Sequence, residues 1–193
     1  MPANTMITIV SGIPRSGTSL MMQMLAAGGM PVLSDGLRNP DQNNPRGYYE
    51  FELVKSLGRN PEIVAQAEGK VIKVISSLLN HLPAGREYRV VFMLRPLAEV
   101  VASQNRMMER LHQTVPQVAE RAVTAAFETH LAQVRGWLAK QSNILVLYVD
   151  YPSILQDPVG EATRVSMFLD RDLDVDGMVR QVEHALHRER VSA

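Results

Sequence analysis

The residues best suited to chemistry in this sequence lie in a glycine-rich stretch near its beginning. Gly12 and Gly17 enclose four residues, and Thr18 and Ser19 follow, so the spacing approaches the phosphate-binding pattern G-x-x-x-x-G-K-[ST]. Thr18 stands in the place of the lysine that reaches the β- and γ-phosphates of a nucleoside triphosphate. The stretch can therefore hold a phosphate group, but it is poorly equipped to act on ATP.

The elements on either side of this stretch position it for anion binding. Residues 7–10 are a β-branched run typical of a buried strand, and from Thr18 onward the apolar residues have helical spacing. In a strand–loop–helix unit, backbone N–H groups and a helix N-terminus converge on one point. Arg15 adds a cation inside the loop. The alternative is an ordinary glycine turn between a core strand and a core helix.

A second anion-binding pair follows the clearest buried strand, residues 88–94. Arg95 comes directly after this strand, and Pro96 then favours the start of a helix. Ser103 lies eight positions later, a spacing that can bring both side chains to the strand end. An arginine fork and a hydroxyl suit a dianionic phosphate. A capped helix with surface charges is the alternative interpretation.

Three further ionisable residues are candidates for chemistry. Lys73 lies late in a strand predicted for residues 70–76, where an ammonium group must pair or reach water. Residues 34–49 are dense in Asp, Asn, Pro and Gly, which is typical of a lid or binding loop or of a solvated surface excursion. Asp35 lies at its start. Glu50 follows it among aromatic residues, and partial burial suits a carboxylate to act as a base.

Composition excludes several classes of protein. The chain has 193 residues, which predicts one domain, and 46% of them are hydrophobic, enough for a core. Twenty basic and twenty acidic residues give no net charge, so nothing indicates a nucleic-acid or membrane-surface protein. The sequence has no cysteine for disulfides and no apolar run long enough to span a membrane, and its first residues give no indication of a signal peptide. We therefore expect a cytoplasmic protein.

Strands that alternate with helices predict an α/β protein with a parallel sheet covered on both faces. We expect strands at residues 7–12, 70–76, 89–94 and 144–149, with a further short one at 30–33. The candidate residues then lie just beyond strand ends, where ligands bind in open α/β sheets.

Two motifs resemble those of sulfotransferases that use 3′-phosphoadenosine 5′-phosphosulfate (PAPS). The run IPRSGTSL at residues 13–20 is similar to their 5′-phosphosulfate loop, in the version of the bacterial and tyrosylprotein enzymes. The pattern R-x-x-x-E-V-x-x-S at residues 95–103 is similar to their 3′-phosphate motif. The resemblance implies a three-layer, P-loop NTPase-like α/β fold with a central parallel sheet, as a single domain over residues 1–193.

The resemblance also implies roles for individual residues. The loop residues would bind the 5′-phosphosulfate: Arg15, Ser16, Gly17, Thr18 and Ser19. Arg95 and Ser103 would bind the 3′-phosphate. Lys73 matches the lysine that contacts the sulfuryl group and the bridging oxygen, while Ile75 takes the place of a histidine base found in the phenol and steroid enzymes.

The identity of the base stays open between two carboxylates. Glu50 is favoured because enzymes of this family with a glutamate base have it beyond the first helix. Asp35 is the rival, at a distance from Arg15 closer to that in the tyrosylprotein type. No metal is implied.

The sequence leaves two other functions and several substrates open. The alternatives are a Mg²⁺-dependent kinase of a nucleotide or small molecule, against which Thr18 argues, and a non-catalytic nucleotide-binding module. The acceptor could be a small molecule, carbohydrate, lipid or peptide, and the oligomeric state is not readable. A basic tail containing His184, His187, Arg188 and Arg190 is predicted to be a solvated helix end.

Overall fold

The computed structural model describes residues 6–41, 44, 47–110 and 119–182. Within these residues the strands form one five-stranded sheet in the order β2-β3-β1-β4-β5, and every neighbouring pair is parallel. The strands are β1 (Ile7–Gly12), β2 (Val32–Leu33), β3 (Val71–Lys73), β4 (Tyr88–Leu94) and β5 (Ile144–Asp150). The carboxyl ends of all five therefore lie at the same edge.

Helices connect the strands. The α-helices are α1 (Thr18–Ala27), α2 (Leu97–Arg110), α3 (Ala119–Leu138), α4 (Tyr151–Gln156), α5 (Pro158–Leu169) and α6 (Val175–Val179). Among the described residues, two 3₁₀ helices precede β3, at Glu52–Ser56 and Pro61–Ala67, and a third follows it, at Ser76–His81. Residues 34–49, between β2 and the first of these, contain no helix among their described positions.

Alternate residues of the central strands pack into two different cores. On β4, Val91 and Met93 face a core formed with α1, α4, α5 and α6, while Val90 and Phe92 face the core on the opposite side. The second core includes the 3₁₀ helices and the end of α3. A strand that is apolar on both faces must be covered twice, so the sheet is the middle of three layers. The predicted α/β fold class is confirmed.

The predicted strand at residues 70–76 is too long. In the structure β3 ends at Lys73, although the N–H of Val74 still donates to the carbonyl of Val10 at 3.0 Å. Ile75 then precedes a 3₁₀ helix that begins at Ser76. The apolar run continues past the strand because Val74 is also buried although it lies outside the strand, whereas Ile75 is exposed, and periodicity does not separate these states. This early end brings Lys73 to the ligand-binding edge.

Candidate active site

The loop between β1 and α1 leaves a helix N-terminus open to an anion. Gly17 is the N-cap of α1 with φ 101°, and no side chain caps this end. The first N–H groups of a helix have no partner within it, and the first turn of α1 contains no acidic residue. A Cβ at Gly17 would lie 2.5 Å from Cδ2 of Tyr151. The position therefore requires glycine for both conformation and space.

Ser16 lies inside this loop rather than on its open side. It is fully buried, and its hydroxyl has no hydrogen-bond partner among the described residues. A Cβ added to Gly12 would lie 2.4 Å from Oγ of Ser16, so the two residues are in close contact. Ser16 does not line the neighbouring cavity, whereas Gly17, Thr18 and Ser19 do.

The two predicted anion-binding motifs meet at Arg15. Its Nε donates to Oγ of Ser103 at 3.0 Å, and its carbonyl accepts from Nη1 of Arg95 at 3.3 Å. Burial lowers the pKa of Arg15, although Tyr48 acts against this, and Arg95 adds to the lowering. A bound anion would offset the repulsion between the two guanidinium groups.

Arg95 is held in place by two other residues. Its Nε donates to Oε2 of Glu99 at 2.8 Å, and both side chains are only 8% exposed. Its guanidinium lies 4.6 Å from the ring centre of Tyr151, the first residue of α4. Burial raises the pKa of Tyr151, whereas Arg95 acts to lower it. A guanidinium has five N–H donors, more than these contacts use, so its fixed plane can still bind an oxyanion.

Lys73 projects from the end of β3 to the other side of the loop. Its ammonium donates to Oγ of Ser19 at 2.9 Å and to the carbonyl of Tyr48 at 2.5 Å. Burial lowers the pKa of Lys73 to about 8, while Glu50, whose Oε1 is 3.9 Å away, acts to raise it. The predicted need for a partner is met by a hydroxyl, a carbonyl and a carboxylate.

The two candidate bases have different surroundings. Glu50 lines the cavity, its side chain is 29% exposed, and Nη1 of Arg38 donates to its two oxygens at 2.9 and 3.3 Å. Asp35 does not line the cavity, and its carboxylate accepts the N–H groups of Glu52 at 2.5 Å and Leu37 at 3.0 Å. The bond from Glu52, followed by that from Leu37, lowers the pKa of Asp35.

One cavity of about 580 Å³ joins these groups. The predicted residues that line it are Arg15, Gly17, Thr18, Ser19, Glu50, Lys73, Arg95 and Ser103. Seven basic and two acidic side chains line it, in a protein without net charge. This excess makes the cavity suited to a ligand with several negative charges.

Sequence reasoning missed Arg38 and the position of Tyr151. Arg38 lies in an irregular segment, where no periodicity or motif distinguishes it from the neighbouring polar residues. Tyr151 follows β5 and reaches the glycine loop only through the parallel pairing of β4 and β5. The four basic tail residues considered from the sequence, His184 to Arg190, lie outside the described residues.

Metal-binding clusters and membrane-spanning helices are both absent from the described ranges. Between residues 6 and 182, leaving out the gaps around 42–46 and at 111–118, no cluster of three or more His, Asp or Glu side chains could hold a metal ion. Over the same positions, no helix has the length and apolar character needed to cross a bilayer.

Comparison with known proteins identifies the family. The sulfotransferase domain family matches residues 7–189, almost the entire chain, and the chain belongs to this family. No curated protein matches the sequence significantly. Solved structures do match, but their sequence identities are so low that the matches establish only the fold.

Three of these structures are sulfotransferases. Mouse sulfotransferase SULT7A1, solved in complex with PAP, has a TM-score of 0.59 at 16% identity, with 93% of this chain and 63% of the mouse chain covered. The sulfotransferase domain of the Synechococcus PCC 7002 olefin synthase has a TM-score of 0.54 at 18% identity, and the match covers 95% of this chain and 79% of the synthase domain. The sulfotransferase domain of the curacin biosynthetic pathway has a TM-score of 0.52 at 15% identity, and the match covers 92% of this chain and 77% of the curacin domain. The chain thus spans less than two thirds of the mouse protein.

Proposed function

We propose that the protein transfers a sulfuryl group from PAPS to a hydroxyl or amine of an acceptor. The contact between Arg15 and Ser103 carries this proposal, because it joins the glycine loop to the helix after β4 around one cavity. Anion-binding groups at the ends of the adjacent strands β1 and β4 suit a ligand that has a phosphate at each of two positions. Membership of the sulfotransferase domain family supports the same reaction.

The residues at the two ends of the site fit the two ends of this donor. The uncapped N-terminus of α1, with the backbone from Arg15 to Ser19, suits the 5′-phosphosulfate. Arg95 and Ser103 suit the dianionic 3′-phosphate, since a fixed guanidinium and a hydroxyl supply several donors. PAP, the product left after transfer, has both phosphates and should bind the same groups.

In this mechanism Glu50 is the base and Lys73 stabilises the leaving group. Glu50 accepts the proton of the acceptor as the acceptor oxygen or nitrogen forms its bond to sulfur. The bond between sulfur and the phosphate oxygen breaks, and its electrons remain on that oxygen as PAP leaves. Lys73 and Arg15 offset the charge that develops there, and such preorganised donors contribute a few kcal/mol each. No metal enters the reaction.

Asp35 is the less suitable base. Its carboxylate accepts two backbone N–H groups outside the cavity, and its own N–H donates to the carbonyl of Glu50 at 3.1 Å. These bonds join the two ends of loop 34–49. We therefore assign Asp35 to holding the loop closed at its base, and Glu50 to the chemistry.

The donor assignment is tested by comparing PAP with adenosine 5′-phosphate. We expect Arg95→Ala to weaken PAP binding about 10- to 100-fold, the usual effect of losing charge-assisted hydrogen bonds, and to change the affinity for adenosine 5′-phosphate little. Isothermal titration calorimetry measures both. Arg121→Ala, at an exposed arginine of α3, is the matched control. Equal loss for both nucleotides would contradict a 3′-phosphate site at Arg95.

The base assignment is tested by Glu50→Gln. This variant keeps the shape of the side chain, so we expect it to bind PAP like the wild type and to lose turnover. Release of PAP from PAPS, measured with 2-naphthol as probe acceptor, reports the rate. Unchanged turnover would show that another residue is the base.

The alternative functions have different signatures. ATP hydrolysis that needs Mg²⁺ would favour a kinase, and PAP binding without transfer to any acceptor would favour a binding module. We expect EDTA to leave PAP binding unchanged.

A further inference from the structure

Arg38 makes contacts that neither the motifs nor the family match assigns. It lies in loop 34–49, and its side chain is 48% exposed. One nitrogen, Nη1, donates to both carboxylate oxygens of Glu50, at 2.9 and 3.3 Å. The guanidinium carbon lies 3.4 Å from the centre of the Tyr48 ring. The stacked ring and the carboxylate together hold the guanidinium in a defined orientation.

The Tyr48 ring that supports Arg38 is itself fixed. Tyr48 is 5% exposed, its hydroxyl donates to Asp41 at 2.8 Å, and its carbonyl accepts from Lys73 at 2.5 Å. Stacking on an aromatic face can contribute about 0.5–2 kcal/mol to the placement of a guanidinium. The loop thus connects Lys73 to Arg38 through a single buried residue, and Arg38 extends this connection to Glu50.

The contact leaves Glu50 able to accept a proton. Since one nitrogen touches both oxygens, it lies between them, and each carboxylate oxygen has a second acceptor position. The carboxylate is held between Arg38 on one side and Lys73, 3.9 Å away, on the other. Without Arg38, Glu50 could rotate freely or move onto Lys73, and either movement would take it from its place beside the cavity.

We propose that Arg38 is a positioning residue that fixes the orientation of the Glu50 carboxylate for proton transfer. This proposal rests on the proposed function, in which Glu50 is the base. Arg38 acts through Glu50, so its loss should affect the transfer step more than donor binding. A misplaced catalytic group commonly costs up to about 100-fold in rate, and we expect Arg38→Ala to lower kcat about 10- to 100-fold.

The test compares the full chain with four variants: Arg38→Ala, Arg38→Lys, Glu50→Gln and, as the control, Arg59→Ala. Arg59 is an exposed arginine that does not line the cavity, so Arg59→Ala controls for a general change in charge. Release of PAP from PAPS is followed with 2-naphthol, and with water when no other acceptor is added. Calorimetry gives PAP affinity, and thermal unfolding shows whether each variant is folded.

We expect Arg38→Ala to lower kcat while its KM for PAPS and its affinity for PAP change less than about threefold, and Arg38→Lys to recover part of kcat. Guanidinium chloride, far below unfolding concentrations, should restore part of the rate of Arg38→Ala and none of that of Glu50→Gln. A merely structural role would lower thermal stability without this rescue, and would overturn the proposal.

The outcomes separate this proposal from the proposed function. If the wild type turns over and Arg38→Ala keeps its kcat, or if Arg59→Ala loses as much of its kcat as Arg38→Ala does, the role of Arg38 is refuted and sulfuryl transfer stands. If the wild type binds PAP but releases none from PAPS with either acceptor, the proposed function fails, and a positioning role in transfer fails with it.

Discussion

Replacing Lys73 with methionine should make the protein more stable while removing its activity. Lys73 is 8% exposed, and burial lowers its pKa from 10.5 to about 8. Since one pKa unit corresponds to about 1.4 kcal/mol, keeping this ammonium charged costs the folded state about 3 kcal/mol. Methionine has a similar length and carries no charge. The substitution removes this cost.

Part of this gain is lost with the hydrogen bonds of the ammonium. The hydroxyl of Ser19 and the carbonyl of Tyr48 both lose a partner, at about 1 kcal/mol each. We therefore expect Lys73→Met to raise the free energy of unfolding by about 1–2 kcal/mol at pH 7, or its Tm by about 2–8 °C. Urea unfolding and thermal unfolding measure these quantities. Lys70→Met, at a half-buried lysine three residues earlier, is the control.

The stability difference between Lys73→Met and the wild type depends on pH. Below pH 8 Lys73 is charged in both the folded and the unfolded protein, so the full cost is present. Between pH 8 and 10.5 only the unfolded protein binds the proton, and the wild type gains stability relative to the variant. The advantage of Lys73→Met should shrink over this range. A variant less stable than wild type at pH 7, or a difference independent of pH, would refute the reasoning.

Three substitutions test the loops. Gly17→Ala should lower the free energy of unfolding by about 2–4 kcal/mol, because a Cβ would lie 2.5 Å from Tyr151 and φ is 101°. Gly29→Ala, with φ 91° and open space, should cost only about 1 kcal/mol, and equal values in urea unfolding would show that the contact does not matter. Asp35→Asn should keep turnover in the PAPS assay, because the amide oxygen can still accept the N–H of Glu52; a variant without turnover would identify Asp35 as the base.

The parts of the fold that depend on local pattern were predictable from the sequence. Strand β1 begins with a β-branched run and β4 consists mostly of apolar residues, and the structure has them at Ile7–Gly12 and Tyr88–Leu94, within one residue of the prediction. Their order in the sheet was not readable, since pairing depends on how distant segments pack. The predicted end of β3 was wrong for a related reason: Val74 is buried without belonging to the strand, and Ile75 is an apolar residue that the fold leaves exposed.

The candidate site was predictable where residues are tied to strand ends. Arg15, Lys73 and Arg95 each follow or end a strand of a parallel sheet, so their meeting at one edge follows from topology. Arg38 was not predictable, because its contact with Glu50 depends on the path of loop 34–49. The sequence left Glu50 and Asp35 as alternatives, since only three-dimensional contacts show which carboxylate is engaged by backbone amides.

The position of β1 at the centre of the sheet has a consequence for local unfolding. β1 pairs with β3 on one side and with β4 on the other, and the cavity is lined by Lys73 at the end of β3 and by Arg95 just after β4. A ligand held by these groups would tie three adjacent strands together at their open edge. Its binding should then slow amide hydrogen exchange at the ends of β3 and β4 by similar factors, because the ligand would have to dissociate before either end could open.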